Sequence, residues 1–235
     1  FQSPEFSRLM QRLNGEVLSR RHLLEDPFEF RGIREYSPWD TMRDINWKAT
    51  ARTGELKVNM KNYTARRAVR IFVNLEDGAV MRREELLEDS IRMAAGAAES
   101  FLAQGIRTAV YTNGPDSITG KPVGIEAASA SWHMDTIDRG LARIDLTDRA
   151  PSFVRNLGEK VLGQEGNEDA LFTVFISSDA QEDFQELLEE CARRKMDFCW
   201  ICPVWGSREA KIRKTLEPYA ARIRLQEGET KWAGV

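Results

Sequence analysis

The chain has 235 residues with 34 Lys and Arg, 37 Asp and Glu, two His and three Cys, and a formal net charge of −3. This length supplies a sizeable core for one large domain with an added arm. So few Cys and His exclude a disulfide framework and a histidine-rich metal site. The low number of Cys also favours a reducing compartment. The longest apolar stretches, such as residues 170–176, are far shorter than the roughly 20 residues that cross a bilayer, so we predict no transmembrane segment.

Residues 1–67 carry 13 basic and 9 acidic side chains and show no regular alternation of strands and helices. A short helix is predicted over residues 4–13, near the start of the chain. Strand-like composition follows over 28–36 and again over 55–63, with a turn at 52–55. We therefore predict an extended β arm over residues 1–67 that leads directly into the first strand of a sheet.

From residue 68 onward, strand and helix patterns alternate. The predicted strands are 68–75, 106–112, 122–127 (a short edge strand), 171–176, 198–204 and 222–225. The predicted helices are 84–103, 135–145, 151–162, 180–195 and 209–217, and the run 113–116 predicts a turn. This order predicts a doubly wound, mainly parallel α/β domain over 68–225, followed by a tail at 226–235.

The arm also carries a resemblance to a known family. The segments 26–36 (DPFEFRGIREY) and 44–54 (DINWKATARTG), with Asp40 between them, closely resemble the signature of domain-of-unknown-function family 58. The similarity is dense over about 25–76 and looser to about 225. It implies a von Willebrand factor type A-like, Rossmann-like domain behind the arm.

The resemblance also implies a setting for the chain. Members of that family are bacterial proteins that typically carry an N-terminal membrane hairpin. Their genes often neighbour a MoxR-type AAA+ ATPase and a transglutaminase-like membrane protein. We therefore expect this chain to be the soluble portion of a membrane-associated protein, on the cytoplasmic face, with these two proteins as partners and with the membrane segment absent from this chain.

Charged residues of the arm alternate in sign, and two interpretations of them stay open. They are Arg31, Arg34, Lys48 and Arg52 among Glu29, Glu35, Asp40 and Asp44. In the structural interpretation, guanidinium–carboxylate pairs fix the arm and Trp47 fills the junction with the sheet. In the functional interpretation, a charged docking surface for a protein partner is formed by Arg31, Arg34, Asp40, Trp47, Lys48 and Arg52.

Nucleic-acid binding by the arm is a third and weaker hypothesis. Trp39 and Trp47 could stack on bases. The interleaved carboxylates would repel phosphates, however, so we predict no nucleic-acid partner.

A metal site is implied by the resemblance but altered in this sequence. Von Willebrand factor type A domains commonly bind Mg²⁺ through an Asp-x-Ser-x-Ser motif after the first strand, where this chain has Asn74, Glu76 and Gly78. Both hydroxyl ligands and the first carboxylate are lost, so we predict a degenerate site with Asp179 as the remaining acidic position and no cofactor. The alternative is a Mg²⁺-dependent enzyme or metal-dependent adhesion-type binder that uses Glu76, Asp77 and Asp179.

Other catalytic motifs are weak. Cys199 and Cys202 form a C-x-x-C within a predicted strand, where residues three apart point to opposite faces, so we predict buried thiols rather than redox or zinc chemistry. The chain contains neither a Gly-x-Ser-x-Gly elbow nor a phosphate-binding loop motif. Taken together, these features predict a non-enzymatic protein-interaction module.

Overall fold

The computed structural model describes residues 3–23, 30–37, 42, 45–61, 67–78, 83–130, 132–163, 170–205 and 211–225. The chain forms two compact units. One comprises Phe1–Val17 and Arg67–Val235, and the other Leu18–Arg66. The predicted tail at 226–235 lies outside the described residues.

Six α-helices and eight strands occur among the described residues. The helices are α1 (Pro4–Leu23), α2 (Trp47–Thr53), α3 (Glu84–Ala103), α4 (His133–Ala142), α5 (Phe153–Leu162) and α6 (Glu182–Arg193), and a 3-10 helix spans Glu217–Tyr219. The strands are β1 (Phe30–Glu35), β2 (Lys57–Lys61), β3 (Ala68–Asn74), β4 (Thr108–Pro115), β5 (Pro122–Ala128), β6 (Ala170–Ser177), β7 (Phe198–Trp205) and β8 (Ala220–Leu225). None of the described helices combines the length and the apolar composition needed to cross a membrane.

The larger unit is built on one six-stranded sheet in the order β5-β4-β3-β6-β7-β8. All neighbouring pairs are parallel except β4 with β5, at one edge. Counted within the unit, this order is 3-2-1-4-5-6, which is the order of Rossmann-like doubly wound sheets. The predicted doubly wound, mainly parallel α/β fold and its short edge strand are therefore confirmed.

Helices cover the sheet on both sides. α3 packs against β3, β4 and α4, whereas α5 and α6 pack against each other over a separate apolar cluster. Because helices lie on both faces, β3 and β6 are buried along almost their whole length.

The apolar cluster beneath α5 and α6 is rich in aromatic side chains. The ring centroids of Phe72 and Phe175 are 5.7 Å apart, and Phe184 lies 5.4 Å from Phe153 and 5.5 Å from Trp200. The indole Nε1 of Trp200 donates to the carbonyl oxygen of residue 177 at 3.0 Å, so its polar atom is satisfied inside the core. This packing holds the ends of β3 and β6 in place.

Two elements are longer than predicted. The helix predicted over residues 4–13 continues to Leu23. Its first four turns bury one apolar face, which consists of Phe6, Leu9, Met10, Leu13 and Val17. β4 continues through residues 113–115, which were predicted to form a turn; the turn begins instead at Asp116, whose Oδ1 accepts from the backbone N–H groups of residues 118 and 119.

The helix predicted over residues 209–217 is wrong for its described part. Residues 211–216 are not α-helical, and Pro218 lies inside the 3-10 helix. The side chain of Gln185 supplies the missing backbone partners: its Nε2 donates to Lys211 O at 3.1 Å, and its Oε1 accepts from Arg213 N at 2.8 Å. A tertiary contact therefore replaces the helical hydrogen bonds of this segment.

The smaller unit pairs β1 with β2 in antiparallel fashion, from Phe30 opposite Lys61 to Glu35 opposite Lys57. The two strands predicted in the arm are thus confirmed, with shorter bounds. α2 was not predicted. It begins after Asn46, whose Oδ1 accepts from Ala49 N at 2.8 Å, and it ends at Gly54, which has a φ of +73°.

The end of α2 gives a first testable prediction. We expect Gly54→Ala to destabilise the smaller unit by about 1 kcal/mol, because the left-handed conformation crowds a Cβ atom. The matched substitution Gly15→Ala lies inside α1, where nothing stands within 4 Å of the new Cβ, and should stabilise by about 0.5–1 kcal/mol. Urea unfolding, combined with amide hydrogen exchange, measures the change in unfolding free energy for both variants. A change of the same sign in the two variants would contradict the assignment of α2.

Candidate functional site

The carboxyl ends of β3 and β6 meet at the point where the strand order of the sheet reverses. Doubly wound sheets generally bind ligands in the crevice at such a switch point. Asn74 is the last residue of β3 and is paired in register with Ser177, the last residue of β6. The structure thus brings the predicted positions Asn74, Glu76 and Gly78 to the same edge as Asp179.

The side chain of Asn74 links the strand ends to one another. It is 1% exposed, and its Nδ2 donates to Ser177 Oγ at 3.1 Å. Its Oδ1 accepts from the backbone N–H of Glu76 at 2.9 Å and from Nδ2 of Asn113, on β4, at 3.3 Å. An ionised Asp at this position could not donate to Ser177, so the amide has a structural role here.

Asp77 is paired with a cation of the protein itself. Its Oδ1 accepts from Nη2 of Arg83 at 2.5 Å and from Nε at 3.2 Å. Its Oδ2 accepts from the backbone N–H of Arg83 at 2.8 Å. The Asp77 carboxylate is almost completely buried, whereas the Arg83 side chain keeps 28% exposure. Arg83 therefore supplies the positive charge that this carboxylate requires inside the protein.

Glu76 points toward the N-terminus of α5. Its Oε2 accepts from the backbone N–H of Phe153 at 2.8 Å. Burial raises the pKa of the Glu76 carboxyl above its ordinary value, and the neighbouring Asp183 adds to the increase. The Phe153 N–H and the charge of Arg155 act in the opposite direction.

Asp179 and its neighbour Ser178 each keep a buried side-chain oxygen that has no hydrogen-bond partner among the described residues. Asp179 is 6% exposed, and among the described residues its Oδ2 accepts no hydrogen bond. Its backbone is held by Ser177, whose Oγ accepts from Asp179 N at 3.1 Å and donates to Asp179 O at 2.9 Å. Burial, followed by the charge of Glu76, raises the pKa of Asp179 to about 7, although Arg83 opposes the increase.

Gly78 allows the loop between β6 and α6, which carries Asp179 and Gln181, to approach closely. A Cβ atom on residue 78 would lie 2.2 Å from Nε2 of Gln181. The exposed amide of Gln181 therefore rests on the backbone of Gly78, between the segments that carry Asp77 and Asp179.

These contacts decide whether the residues fit Mg²⁺. The ion requires a nearly octahedral shell of oxygen ligands. Here Asn74 Oδ1 and both oxygens of Asp77 already accept from N–H groups, and the guanidinium of Arg83 stands beside Asp77. Across the described ranges, no three His, Cys, Asp or Glu side chains are grouped closely enough to hold a metal ion. The residues present do not fit Mg²⁺.

Several candidate residues of the arm lie in the smaller unit. Trp47, Lys48 and Arg52 are exposed on α2. That Trp47 fills the junction of the arm with the sheet stays a prediction. Nη1 of Arg34 donates to the backbone oxygen of Glu35 at 2.9 Å. Asp40, Glu29, Asp44 and the side chain of Arg31 lie outside the described residues.

The ion pairs that the structure shows in the smaller unit centre on Lys57, which the sequence did not single out. Its Nζ lies 3.4 Å from Oε1 of Glu35 and 3.0 Å from Oε2 of Glu55. These two hydrogen-bonded carboxylates raise the pKa of Lys57. The cross-strand pairing of Glu35 with Lys57 could have been found only with the β1–β2 register in hand.

The cysteines are buried, as predicted. Cys202 packs in the aromatic cluster, whereas Cys199, on the opposite face of β7, lies near Arg12 and Glu16 of α1. Burial raises the pKa of each thiol, including that of Cys191, to about 12. Protonated, enclosed thiols on two faces of a strand are suited neither to disulfide exchange nor to zinc binding.

Two residues of the site were missed in the sequence. Arg83 lies six positions beyond Asp77, just before α3, and carries no motif. Asn113 was assigned to a turn, yet its Oδ1 accepts from the Leu75 N–H at 2.9 Å and its Nδ2 donates to Pro151 O at 2.7 Å. Only the arrangement of the strands shows that these side chains serve the end of β3.

Comparisons with known proteins add little beyond the fold. No protein-family model matches the chain, and no curated relative matches it. Membership of domain-of-unknown-function family 58 therefore stays a prediction. A crystal structure of the SpRpn10 VWA domain is similar over 68% of this chain and 88% of that chain, with a TM-score of 0.38 and 10% sequence identity. The strand order of the sheet is what shows the von Willebrand factor type A-like, Rossmann-like fold of this chain.

Proposed function

We propose that this chain is a non-enzymatic protein-interaction module that binds a MoxR-type AAA+ ATPase at the cytoplasmic face of a bacterial membrane. A von Willebrand factor type A-like fold commonly serves as an interaction module. The ATPase, the transglutaminase-like protein as a further partner and the membrane setting rest on the resemblance of residues 26–54. The contacts of the described residues support the proposal in two places.

The first support, and the observation that carries the proposal, is the exposure of Trp47. Its side chain is 61% exposed on α2, a helix with no buried residue. Lys48 and Arg52 are exposed on the same helix, one turn apart. An indole beside cations is the composition of binding hot spots, because Trp and Arg are enriched there.

An open groove of about 670 Å³ lies beside this helix, within the smaller unit. It is lined by β1, α2 and the start of β2, through Ile33, Arg34, Glu35, Ala49, Thr53 and Lys57. The exposed Ile33 gives the groove an apolar wall, and charged side chains form its rim. This arrangement suits a partner segment that has both apolar and charged residues.

The second support comes from the edge of the larger sheet. The oxygens that would bind Mg²⁺ in an active centre instead accept hydrogen bonds from Asn113, Arg83 and backbone N–H groups. A Mg²⁺-dependent enzyme using Glu76, Asp77 and Asp179 would first have to displace Arg83 from Asp77. We therefore favour recognition over catalysis.

Pull-down and titration calorimetry with the ATPase test the proposal. We expect Trp47→Ala to weaken binding by about 2 kcal/mol, roughly 30-fold, because truncated hot-spot residues cost at least this much. Lys48→Ala and Arg34→Ala should each weaken binding by a smaller factor. Unfolding of the Trp47→Ala protein should stay within about 0.5 kcal/mol of wild type, because the residue is exposed.

Trp132→Ala is the matched control, since Trp132 belongs to the larger unit and is 60% exposed. It should leave binding unchanged. Equal losses of affinity in the two Trp variants would indicate that exposed indoles bind the ATPase nonspecifically. If the folded variants Trp47→Ala, Lys48→Ala and Arg34→Ala all bind fully, the smaller unit does not take part in the interaction. If wild type does not bind, the ATPase is not the partner.

A further inference from the structure

Among the described residues, the edge of the larger sheet carries four carboxylates and two cations, Arg83 and Arg155, that act on them. We name Glu76, Asp77, Asp179 and Asp183 the acidic socket, because the charges of the other three act on Asp179. Asp77 is neutralised by Arg83. Asp183 uses its Oδ1 to accept from the backbone N–H of residue 184 at 2.8 Å.

Asp179 and Glu76 keep acceptor capacity that nothing in the described part of the chain uses. Oδ2 of Asp179 is buried and accepts no hydrogen bond from described residues, although the residue is 6% exposed. Glu76 accepts one hydrogen bond, through Oε2 from Phe153 N. A buried carboxylate oxygen without a donor is costly, and such oxygens in proteins are normally paired. A donor with positive charge would satisfy Oδ2 of Asp179 and would oppose the charge of Glu76.

We propose that the acidic socket receives a primary ammonium group, the lysine side chain of a protein partner, between Asp179 and Glu76. This inference rests on the proposed function, because it places a second contact of the interaction module at the switch point of the sheet. The ammonium group takes the place that a metal ion would have in a site with a complete set of ligands.

The chemistry of the socket favours an ammonium group over the alternatives. A Lys ammonium is a compact charge with three N–H donors, so it can bond to Asp179 Oδ2 and to Glu76 together. A metal ion would need several further oxygens, which Asn74 and Asp77 have committed to N–H groups. Gly78 and Gln181 are exposed beside the acidic socket, and the amide of Gln181 lies against the backbone of Gly78.

Titration with n-butylammonium chloride, which reproduces the end of a Lys side chain, tests the socket without the partner. Backbone amide shifts of residues 76–78 and 177–181 are followed by nuclear magnetic resonance, with tetramethylammonium and Mg²⁺ as separate comparison ions. We expect saturable shifts with n-butylammonium and none with tetramethylammonium, which has the charge but no N–H donor. Asp179→Asn should weaken the binding about tenfold or more, and Glu76→Gln several-fold.

Asp138→Asn, the same chemical change on α4, outside the socket, should leave the n-butylammonium titration unchanged. The proposal fails if both ammonium ions give equal shifts, if Asp179→Asn binds like wild type, or if Mg²⁺ alone gives saturable shifts. The two proposals fail separately. If Asp179→Asn binds the ATPase like wild type, the socket has no role in docking, and the proposed interaction module is unaffected. If wild type binds n-butylammonium but not the ATPase, only the ATPase is excluded as the partner.

Discussion

Replacing Arg83 with methionine is expected to lower the free energy of unfolding by about 3 kcal/mol, because it leaves the buried carboxylate of Asp77 without its cation. Breaking a buried pair in this way typically costs about 3–5 kcal/mol, and we expect the lower end because the Arg83 side chain is partly exposed. The backbone N–H of residue 83 still donates to Asp77 Oδ2, which also limits the loss. Urea unfolding measured at pH 7 gives the difference directly.

Two comparisons separate this effect from simple loss of a side chain. The double variant Arg83→Met with Asp77→Asn removes the unpaired charge and should recover part of the stability, so the two changes should not be additive. Arg193→Ala breaks an exposed pair with Glu190 and should cost far less than Arg83→Met, because solvent screens such pairs. Equal losses for Arg83→Met and Arg193→Ala would show that Asp77 does not depend on Arg83.

Most of the larger unit could be predicted from the sequence, because its elements combine local propensity with the right periodicity. α3 was predicted with its observed bounds, since apolar residues recur along residues 84–103 and Gly105 follows. β6 and β7 were predicted from short apolar runs rich in β-branched and aromatic residues. The doubly wound, mainly parallel sheet followed from the alternation of strands and helices, whereas the strand order came only from the structure.

Two of the errors share one physical cause, which is that tertiary contacts overrode local signals. Asn113 and Gly114 are strong turn residues, yet they stay in β4 because Asn113 bonds to the segment after β3. Residues 211–213 have helical composition, yet Gln185 binds their backbone from α6. α2 is a different kind of error: its caps, Asn46 and Gly54, were visible in the sequence, but Gly54 was interpreted as part of a turn at 52–55.

The site was only partly predictable for a related reason. Sequence resemblance drew attention to Asn74, Glu76, Gly78 and Asp179, and the structure brings all four to one edge. Whether such an edge holds a metal ion depends on which donors reach its oxygens, and Arg83 and Asn113 come from other elements. Spacing along the chain carries no information about these donors. The replacement of the first Asp by Asn74 makes physical sense only when Ser177 is seen as its acceptor.

Asp179→Asn is expected to change how stability depends on pH. The folded-state pKa of Asp179 is about 7, above its ordinary value of 3.8, so between these values the folded protein binds the proton more tightly than the unfolded chain does. The unfolding free energy of wild type should therefore fall as the pH rises from about 4 to about 7. The variant lacks this decrease because an amide does not ionise. At pH 8 we expect it to be more stable than wild type by roughly 4 kcal/mol, because each unit between the two pKa values corresponds to about 1.4 kcal/mol, and near pH 4 the two should agree.

Urea unfolding from pH 4 to pH 8 measures the unfolding free energy of the two proteins. Their difference isolates the contribution of Asp179, because the contributions of other carboxyls cancel. One example is Glu126, whose pKa is lowered. Glu76→Gln supplies a second check. Removing the charge that most strongly opposes ionisation of Asp179, after burial itself, should move the decrease to lower pH without abolishing it. Parallel pH profiles for wild type and Asp179→Asn would mean that Asp179 is ionised at no cost. In that case a donor already reaches its Oδ2, and the acidic socket has no place left for a partner's lysine.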